Sequence, residues 1–342
     1  MEIFRNIEKE RVVTLIESGW FNGDPGNGKF GGHNYPFVLK YSDNNFYKPV
    51  LDSAKEYFNK NNIAWWKGKE PTGHALSSQI ACVNHLFLLR NDKEAVLSLL
   101  SSFSSDFIDV LKITTDQYEP YYISFEQVSD TDLLNEGKPT RGSNCTSIDA
   151  CIYALHKNGS RWLIPIEWKY TETYEKEDKG IGSSGEIRHK RYDGLIQQSS
   201  QLKYYAEEFA MGGPQSEGSY PIAGTGTSHY YVEPFYQLMR QTLWAEQMVK
   251  NKNSETICAD DYMHIHVIPS KNTDMLEKTY SSYRWDGQYT REYKMNMEKT
   301  WRSWLVNQDK YKIISPEVLL ANIGNEYDDL KQYLSKRYWN KY

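Results

Sequence analysis

The sequence predicts a mixed α/β fold of the α+β kind, with a core order of helix, strand, strand, strand, helix, strand. Three observations carry this expectation. Residues 75–90 place Leu76, Ile80, Val83 and Phe87 at i, i+4, i+7 and i+11, which is one face of a helix. From Tyr121 the apolar period drops to two, which is strand behaviour. Asn158-Gly159 then separates two apolar runs, 146–156 and 161–170, the strongest short-range signal of an antiparallel hairpin. The strict βαβ alternation of a dinucleotide-binding fold is missing.

The elements follow in order. Residues 1–18 read as a helix, with Ile3, Ile7, Val12, Leu15 and Ile16 near helical spacing. Residues 19–36 are a loop rich in Gly, Asn and Pro. A helix over about 48–60 carries Val50, Ala54, Tyr57 and Phe58, and Trp65-Trp66 precede a break at Pro71-Thr72-Gly73. Asp92 caps a helix to about 104, with Val96, Leu99, Leu100 and Phe103 on one stripe. Tyr121, Ile123 and Phe125 alternate with polar neighbours as the first strand. The hairpin supplies the second and third strands. Residues 171–230 are a polar, Gly/Ser-rich insertion with a helical stretch near 193–210. A helix over about 234–250 and an alternating strand from Tyr262 to Ile268 complete the core, and Pro269 stops the strand. Residues 291–306 and 316–337 are helical again, and no internal repeat is visible. The division expected is a helical N-terminal extension packed on the core (1–73), the core (74–270) and a helical C-terminal extension (271–342).

Composition narrows the function classes. Of 342 residues, 25% are charged and 39% hydrophobic, which excludes a disordered chain or a collagen-like fibre. No apolar run nears the roughly 18–20 residues of a membrane-spanning helix. The first ten residues are too charged for a secretory core, so no signal peptide is expected. Cys82, Cys145, Cys151 and Cys258 form no CxxC pair, so free thiols in a reducing, cytoplasmic compartment are expected. The net charge of -5 means that any nucleic-acid contact must use a local patch. Aromatic residues make up 14%, and core packing accounts for most of them.

Three patterns are set aside. Gly26-Asn27-Gly28-Lys29-Phe30-Gly31 fits GxGxxG, and Gly23 through Lys29 fits GxxxxGK. No strand is expected before them, no helix after, and Phe30 cannot ligate Mg²⁺, so a Gly-rich turn is the better reading. His264 and His266 share a strand face, but no third ligand is spaced to complete a metal set. A GxSxG elbow is absent.

The segment that carries chemistry is Ser147-Ile148-Asp149-Ala150 with Ile164-Pro165-Ile166-Glu167-Trp168-Lys169. Period two puts Glu167 and Lys169 on one face of an otherwise apolar strand, where charges are costly unless paired or bound to something. Loop length decides whether Asp149 joins them. A two-residue Asn158-Gly159 turn sets Asp149 opposite Trp168, and Glu167 then points away. A three-residue loop over 157–159, with Gly159 left-handed, pairs 156 with 160 and sets Asp149 opposite Glu167. A bulge at Pro165 is the other route to the same parity. Two carboxylates across a hairpin make a hard oxygen site for Mg²⁺ or Mn²⁺, and the lysine can orient water or stabilise charge on a phosphoryl group.

Asp149 with Glu167-Trp168-Lys169, in this order of elements, resembles the PD-(D/E)xK nuclease superfamily, whose core is the restriction-endonuclease-like αβββαβ fold with a mixed central sheet. Residues 77–87 and the run from Arg141-Gly142 to Ile148-Asp149-Ala150 are similar to a bacterial branch of such proteins. The resemblance covers about 74–268 and the helical tail to about 322. It implies that Asp149, Glu167 and the main-chain carbonyl of Trp168 ligate the metal, and that Lys169 is the catalytic lysine. The first core helix often supplies another acid in this superfamily. Here its polar candidates are Gln79 and Asn84, and Glu126 on the first strand is the substitute. Gln201 through Tyr205 fits a QxxxY pattern found in some relatives, although the later helix with Tyr236, Gln237 and Arg240 can fill that place instead.

Arg188-His189-Lys190-Arg191 is a basic cluster suited to phosphates, with Arg141, Lys203 and Tyr205 as further contacts. The resemblance implies a metal-dependent DNA nuclease leaving 5′-phosphates, with a role in restriction, defence or repair. No membrane partner is expected, and a homodimer stays open. The rivals are a nucleic-acid-binding protein whose chemistry is lost and a carbohydrate-active enzyme suggested by aromatics and scattered carboxylates.

Overall fold

The computed structural model describes residues 3–66, 68–114, 120–174, 178–180, 182–204, 229–280 and 295–339. Helix α1 (Ile3–Glu17) buries Phe4, Glu8, Arg11, Val12, Leu15 and Ile16. Ile3 and Ile7, although on the apolar spacing, are exposed. The buried face is rotated because Arg11 is committed inward: it pairs with Glu8 at 2.5 Å and donates to the Tyr170 hydroxyl at 2.9 Å. The segment 19–36, expected as plain loop, contains a small antiparallel hairpin, β1 (Gly28–Phe30) with β2 (His33–Tyr35). Helices α2 (Leu51–Lys60), α3 (Ser78–Leu86) and α4 (Lys93–Ser101) follow. Ser77 caps α3 through the Ile80 amide, and Asp92 caps α4 through Glu94 and Ala95, as short polar side chains do for orphan N–H groups.

The sheet has seven strands. They are β3 (Phe107–Leu111), β4 (Ile123–Gln127), β5 (Ile148–His156), β6 (Arg161–Trp168), β7 (Asp261–Tyr262), β8 (His264–Val267) and β11 (Tyr311–Ile314). A minor pair, β9 (Thr279–Tyr280) with β10 (Met295–Asn296), lies apart. Strands β3 and β4 run end to end along the same edge of β5, both antiparallel to it. β6 is antiparallel to β5 and parallel to β7 and β8, and β11 is parallel to β8. The sheet is therefore mixed, flanked by helices, and has the restriction-endonuclease-like α+β architecture.

Two strands of the seven-stranded sheet were not foreseen. β3 precedes the expected first strand, and β11 makes the C-terminal segment part of the sheet rather than purely helical. Both are only four or five residues long, too short for a period to stand out. The insertion helix α5 spans Gly182–Gln198, earlier than the 193–210 expected, and 205–210 lie outside the described residues. Helix α6 (Phe235–Lys250) falls where its spacing put it.

The two faces of the sheet differ. One face carries Ala150, Ile152, Ile164, Ile166, Trp168, Ile265 and Val267 into a core shared with α1 to α4. The other carries Cys151, Tyr153 and Leu163 into a core shared with α5 and α6. The hairpin uses the longer loop. His156 N donates to Ser160 O at 2.9 Å, and Gly159 is left-handed at φ +85°. Pairs from Leu155↔Arg161 to Ala150↔Ile166 are unbroken, so the next pair is Asp149 with Glu167. Pro165 pairs with Cys151 in register, without the bulge considered above. The ladder from β6 to β7 and β8 lapses between Leu163 and Ile166, where Pro165 has no N–H to give.

Gly159→Ala is expected to lower stability by about 1–2 kcal/mol, because a Cβ is disfavoured at positive φ. The midpoint of urea unfolding measures it.

Candidate active site

Asp149, on β5, and Glu167, on β6, lie side by side on the sheet face that α6 covers. Asp149 Oδ2 accepts from the Trp168 amide at 2.8 Å, which fixes the carboxylate against the neighbouring strand. Two residues past Glu167 the same face presents Lys169, whose Nζ donates to Glu167 Oε1 at 2.5 Å and to Gln237 Oε1 at 2.7 Å. Gln241, one turn further along α6, donates its Nε2 to Glu167 Oε2. Gln237 in turn donates to the Tyr174 hydroxyl at 2.9 Å and to Glu233 at 3.2 Å. The structure thus brings Asp149, Glu167 and Lys169 together, and the later helix supplies the glutamines.

A third carboxylate closes the row. Glu126 sits on β4 beside Asp149, and the β4–β5 ladder passes over it between Phe125 and Gln127. Its φ is +48°, a strained value for a residue with a side chain. Gln79 of α3 donates to Glu126 Oε1 at 2.7 Å and Ser147 donates to Oε2 at 2.8 Å. Arg141 holds the strained turn from the other side, donating to the main-chain oxygens of Glu126 (3.1 Å) and Phe125, to Tyr57 Oη (3.0 Å) and to Ser124 Oγ (3.3 Å). Its Nε and Nη2 are thereby turned into the protein.

The electrostatics follow from this crowding. Burial pushes the Asp149 carboxyl well above the usual carboxylate range, and Glu167 and Glu126 push it further. Burial also raises Glu126, against the hydrogen bonds from Gln79 and Ser147. Burial alone would lower the Lys169 ammonium, yet Glu167, then Tyr174, Glu172 and Asp149, carry it well above its ordinary value. Lys169 therefore stays protonated. Glu167 and Lys169 are each 6% exposed, whereas Asp149, Gln79, Ser147 and 141–143 are half-buried and form the open side.

Two carboxylates that repel each other across a hairpin suit a hard cation. Among the described residues no group of three or more His, Cys, Asp or Glu could hold a metal ion. Asp149 and Glu167 are the residues that could hold an ion such as Mg²⁺, which binds through one or two carboxylates and keeps waters and substrate oxygens.

The other sequence candidates are scattered. Gln201 is buried and exchanges hydrogen bonds with the Asn307 main chain (2.6 and 3.2 Å), so it anchors the C-terminal segment. Lys203 Nζ donates to Ser303 O at 2.8 Å, and Tyr205 lies outside the described residues. Arg188, Lys190 and Arg191 sit on helix α5, not on a loop. Arg188 packs on the Tyr236 ring at 5.6 Å and donates to Lys179 O at 2.7 Å, while Lys190 is exposed and Arg191 half-buried. His264 and His266 are buried, and burial pushes the His264 imidazole down to about 3. Gln241 was missed by the sequence reading. The available signal was its i+4 spacing from Gln237.

The Gly-rich stretch is no phosphate cradle. The Asp24 carboxylate already takes the amides of Gly26 (2.8 Å), Lys40 (2.9 Å) and Tyr41 (3.0 Å). Gly28 is required because a Cβ there would meet Leu39 O at 2.2 Å.

Among known families, the model described as Restriction Endonuclease associating with ARP matches residues 16–339. No curated protein and no solved structure matches the chain.

Asp149→Asn is expected to stabilise the metal-free protein at pH 7 by about 1 kcal/mol or more, since it removes a carboxylate from beside Glu167 and Glu126. A carboxyl raised by folding favours the folded state below its unfolded pKa and loses that contribution as pH rises through the raised value. The gain should therefore vanish toward pH of about 4, near the ordinary aspartate value. Thermal unfolding of both proteins across pH checks it.

Proposed function

The chain belongs to the family described as Restriction Endonuclease associating with ARP, and from that premise we propose that it is a metal-dependent nuclease of the PD-(D/E)xK type that hydrolyses phosphodiester bonds of DNA. The observation that carries this reading is the facing pair Asp149 and Glu167 with Lys169 on the same face, held under α6 by Gln237 and Gln241. No described helix is long and apolar enough to cross a membrane.

Asp149, Glu167 and the Trp168 carbonyl would hold Mg²⁺ or Mn²⁺, which when bound polarises the scissile phosphate and lowers the pKa of water. Lys169, kept protonated by its acidic neighbours, cannot abstract a proton. It instead donates from Nζ to the attacking water or to the phosphoryl oxygen on which charge develops. Gln237 positions that ammonium, and Gln241 fixes the far oxygen of Glu167 so that the near one stays turned to Lys169. Glu126, held by Gln79 and Ser147, contributes negative charge on the open side of the site and favours a cation there.

A second reading is a nucleic-acid-binding protein without chemistry. One observation favours it: Glu167 spends both oxygens within the protein, on Lys169 and on Gln241.

Cleavage of plasmid and single-stranded DNA with Mg²⁺ titrated in separates the two. The intact protein is expected to cut only with the cation. Lys169→Ala should lose about 10³-fold or more in rate. Binding without cutting at any Mg²⁺ or Mn²⁺ concentration would establish the second reading.

Gln241→Ala is expected to raise the Mg²⁺ concentration needed for half-maximal cleavage about 10- to 100-fold, the usual cost of losing a group that orients a ligand. An unchanged Mg²⁺ requirement would leave the glutamine a packing role.

A further inference from the structure

We propose that the Tyr174 hydroxyl is a second phosphate-binding donor of the candidate site, set beside the Lys169 ammonium to hydrogen-bond a non-bridging oxygen of the phosphodiester. The inference deepens the nuclease reading and rests on it for the substrate.

Tyr174 has a backbone φ of +29°. A bulky side chain rarely takes a positive φ, and such a conformation persists only where its surroundings impose it. Here they do. Asn272, fully buried, donates its Nδ2 to the main-chain oxygens of Tyr170 at 3.1 Å and Glu172 at 3.0 Å. The Glu172 carboxylate turns back and accepts from the Tyr170 amide at 2.7 Å. Lys278 then donates to the main-chain oxygens of Thr173, at 3.2 Å, and of Tyr174. The chain leaving Lys169 is pinned along its course and returns the tyrosine to the lysine. Its ring centroid lies 5.4 Å from Lys169 Nζ, within the range of a cation–π contact.

The direction of the hydrogen bonds decides what the hydroxyl can do. An ammonium only donates, so Lys169 holds the Gln237 amide with Oε1 toward the lysine, at 2.7 Å. Gln237 Nε2 is then the atom that meets Tyr174 Oη, at 2.9 Å. An amide nitrogen also only donates, so the tyrosine oxygen is the acceptor in that bond. The neighbouring Glu233 carboxylate accepts from the same nitrogen at 3.2 Å and not from the phenol. The phenol proton therefore has no acceptor among the described residues. A phenol keeps that proton at neutral pH, and burial pushes its pKa further up.

One amide group thus spans the ammonium and the hydroxyl, so a charged donor and a neutral one stand side by side. Tyr174 and Gln237 are half-buried, whereas Lys169 is 6% exposed, so this flank of the lysine is not sealed. An anion with more than one acceptor oxygen satisfies both donors at once. The phosphodiester has that chemistry, with two non-bridging oxygens sharing one negative charge.

Tyr174→Phe removes the proton and keeps the ring beside Lys169. With Mg²⁺ and plasmid DNA, the full chain carrying it should cut about 10- to 100-fold more slowly, the weight of a hydrogen bond to a charged group. The Mg²⁺ concentration for half-maximal cutting should stay the same, because the hydroxyl touches neither Asp149 nor Glu167. In a Gln237→Ala background the same substitution should still cost about tenfold. No further loss in that background would make the hydroxyl a prop for Gln237 and overturn the proposal. An unchanged rate in Tyr174→Phe alone, or a loss that excess Mg²⁺ restores, would overturn it too. If the intact protein binds a single-stranded DNA of about 12 nucleotides without cutting, the activity alone is refuted and affinity replaces rate. Tyr174→Phe should then bind about tenfold more weakly with the same salt dependence, since a neutral group releases no counterion. Equal affinity would overturn the proposal. A chain that neither binds nor cuts DNA refutes the nuclease reading and this donor with it.

Discussion

The candidate site depends on the parity of one hairpin. Because β5 and β6 are joined through a three-residue loop with Gly159 left-handed, Asp149 faces Glu167 and both share a sheet face with Lys169. One residue fewer would turn Glu167 and Lys169 to the other face, into the apolar layer under α3 where Ile164, Ile166 and Trp168 now sit. The same parity places the candidate site on the α6 face and the unbroken hydrophobic row on the other. The separation of a charged face from an apolar one is thus set by a loop at the far end of the strands.

Carboxylates in that position are costly, and the neighbouring elements offset the cost. Lys169, Gln237 and Gln241 cover Glu167 and its partner. Gln79, Ser147 and Arg141 stabilise Glu126 in a backbone conformation that a side chain ordinarily resists. What remains is the repulsion that Asp149 feels from Glu167 and Glu126, which adds to burial in holding its carboxyl well above the usual carboxylate range.

The ends of the chain close around the residue after the lysine. Tyr170 follows Lys169 and is buried, and its hydroxyl meets Glu8 and Arg11 of α1. Arg11 also donates to the main-chain oxygens of Lys336 and Arg337, at 3.0 and 2.5 Å. A buried, hydrogen-bonded ion pair of this kind is worth less for net stability than for the arrangement it imposes. Here it ties the N-terminal helix, the C-terminal segment and the end of β6 to one another, so both extensions brace the strand that carries Glu167.

Sequence alone settled what depends on near neighbours. The helical stripe through Ile80 and Val83, the Asp92 cap, the hairpin at Gly159 and the shared face of Glu167 and Lys169 are consequences of local period and turn chemistry, which act over a few residues. Sequence narrowed the register to two choices but could not pick one, because both loop lengths suit Lys157-Asn158-Gly159. Tertiary structure decided the rest. It exposed Ile3 and Ile7, because Arg11 found partners more than 150 residues away. It made strands of Phe107–Leu111 and Tyr311–Ile314, because an edge of the sheet was there to pair with. It chose Gln241 rather than Gln201 for the site, because α6, and not the segment after α5, lies across Glu167. Such contacts are set by distance in space, and residue spacing along the chain carries no record of them.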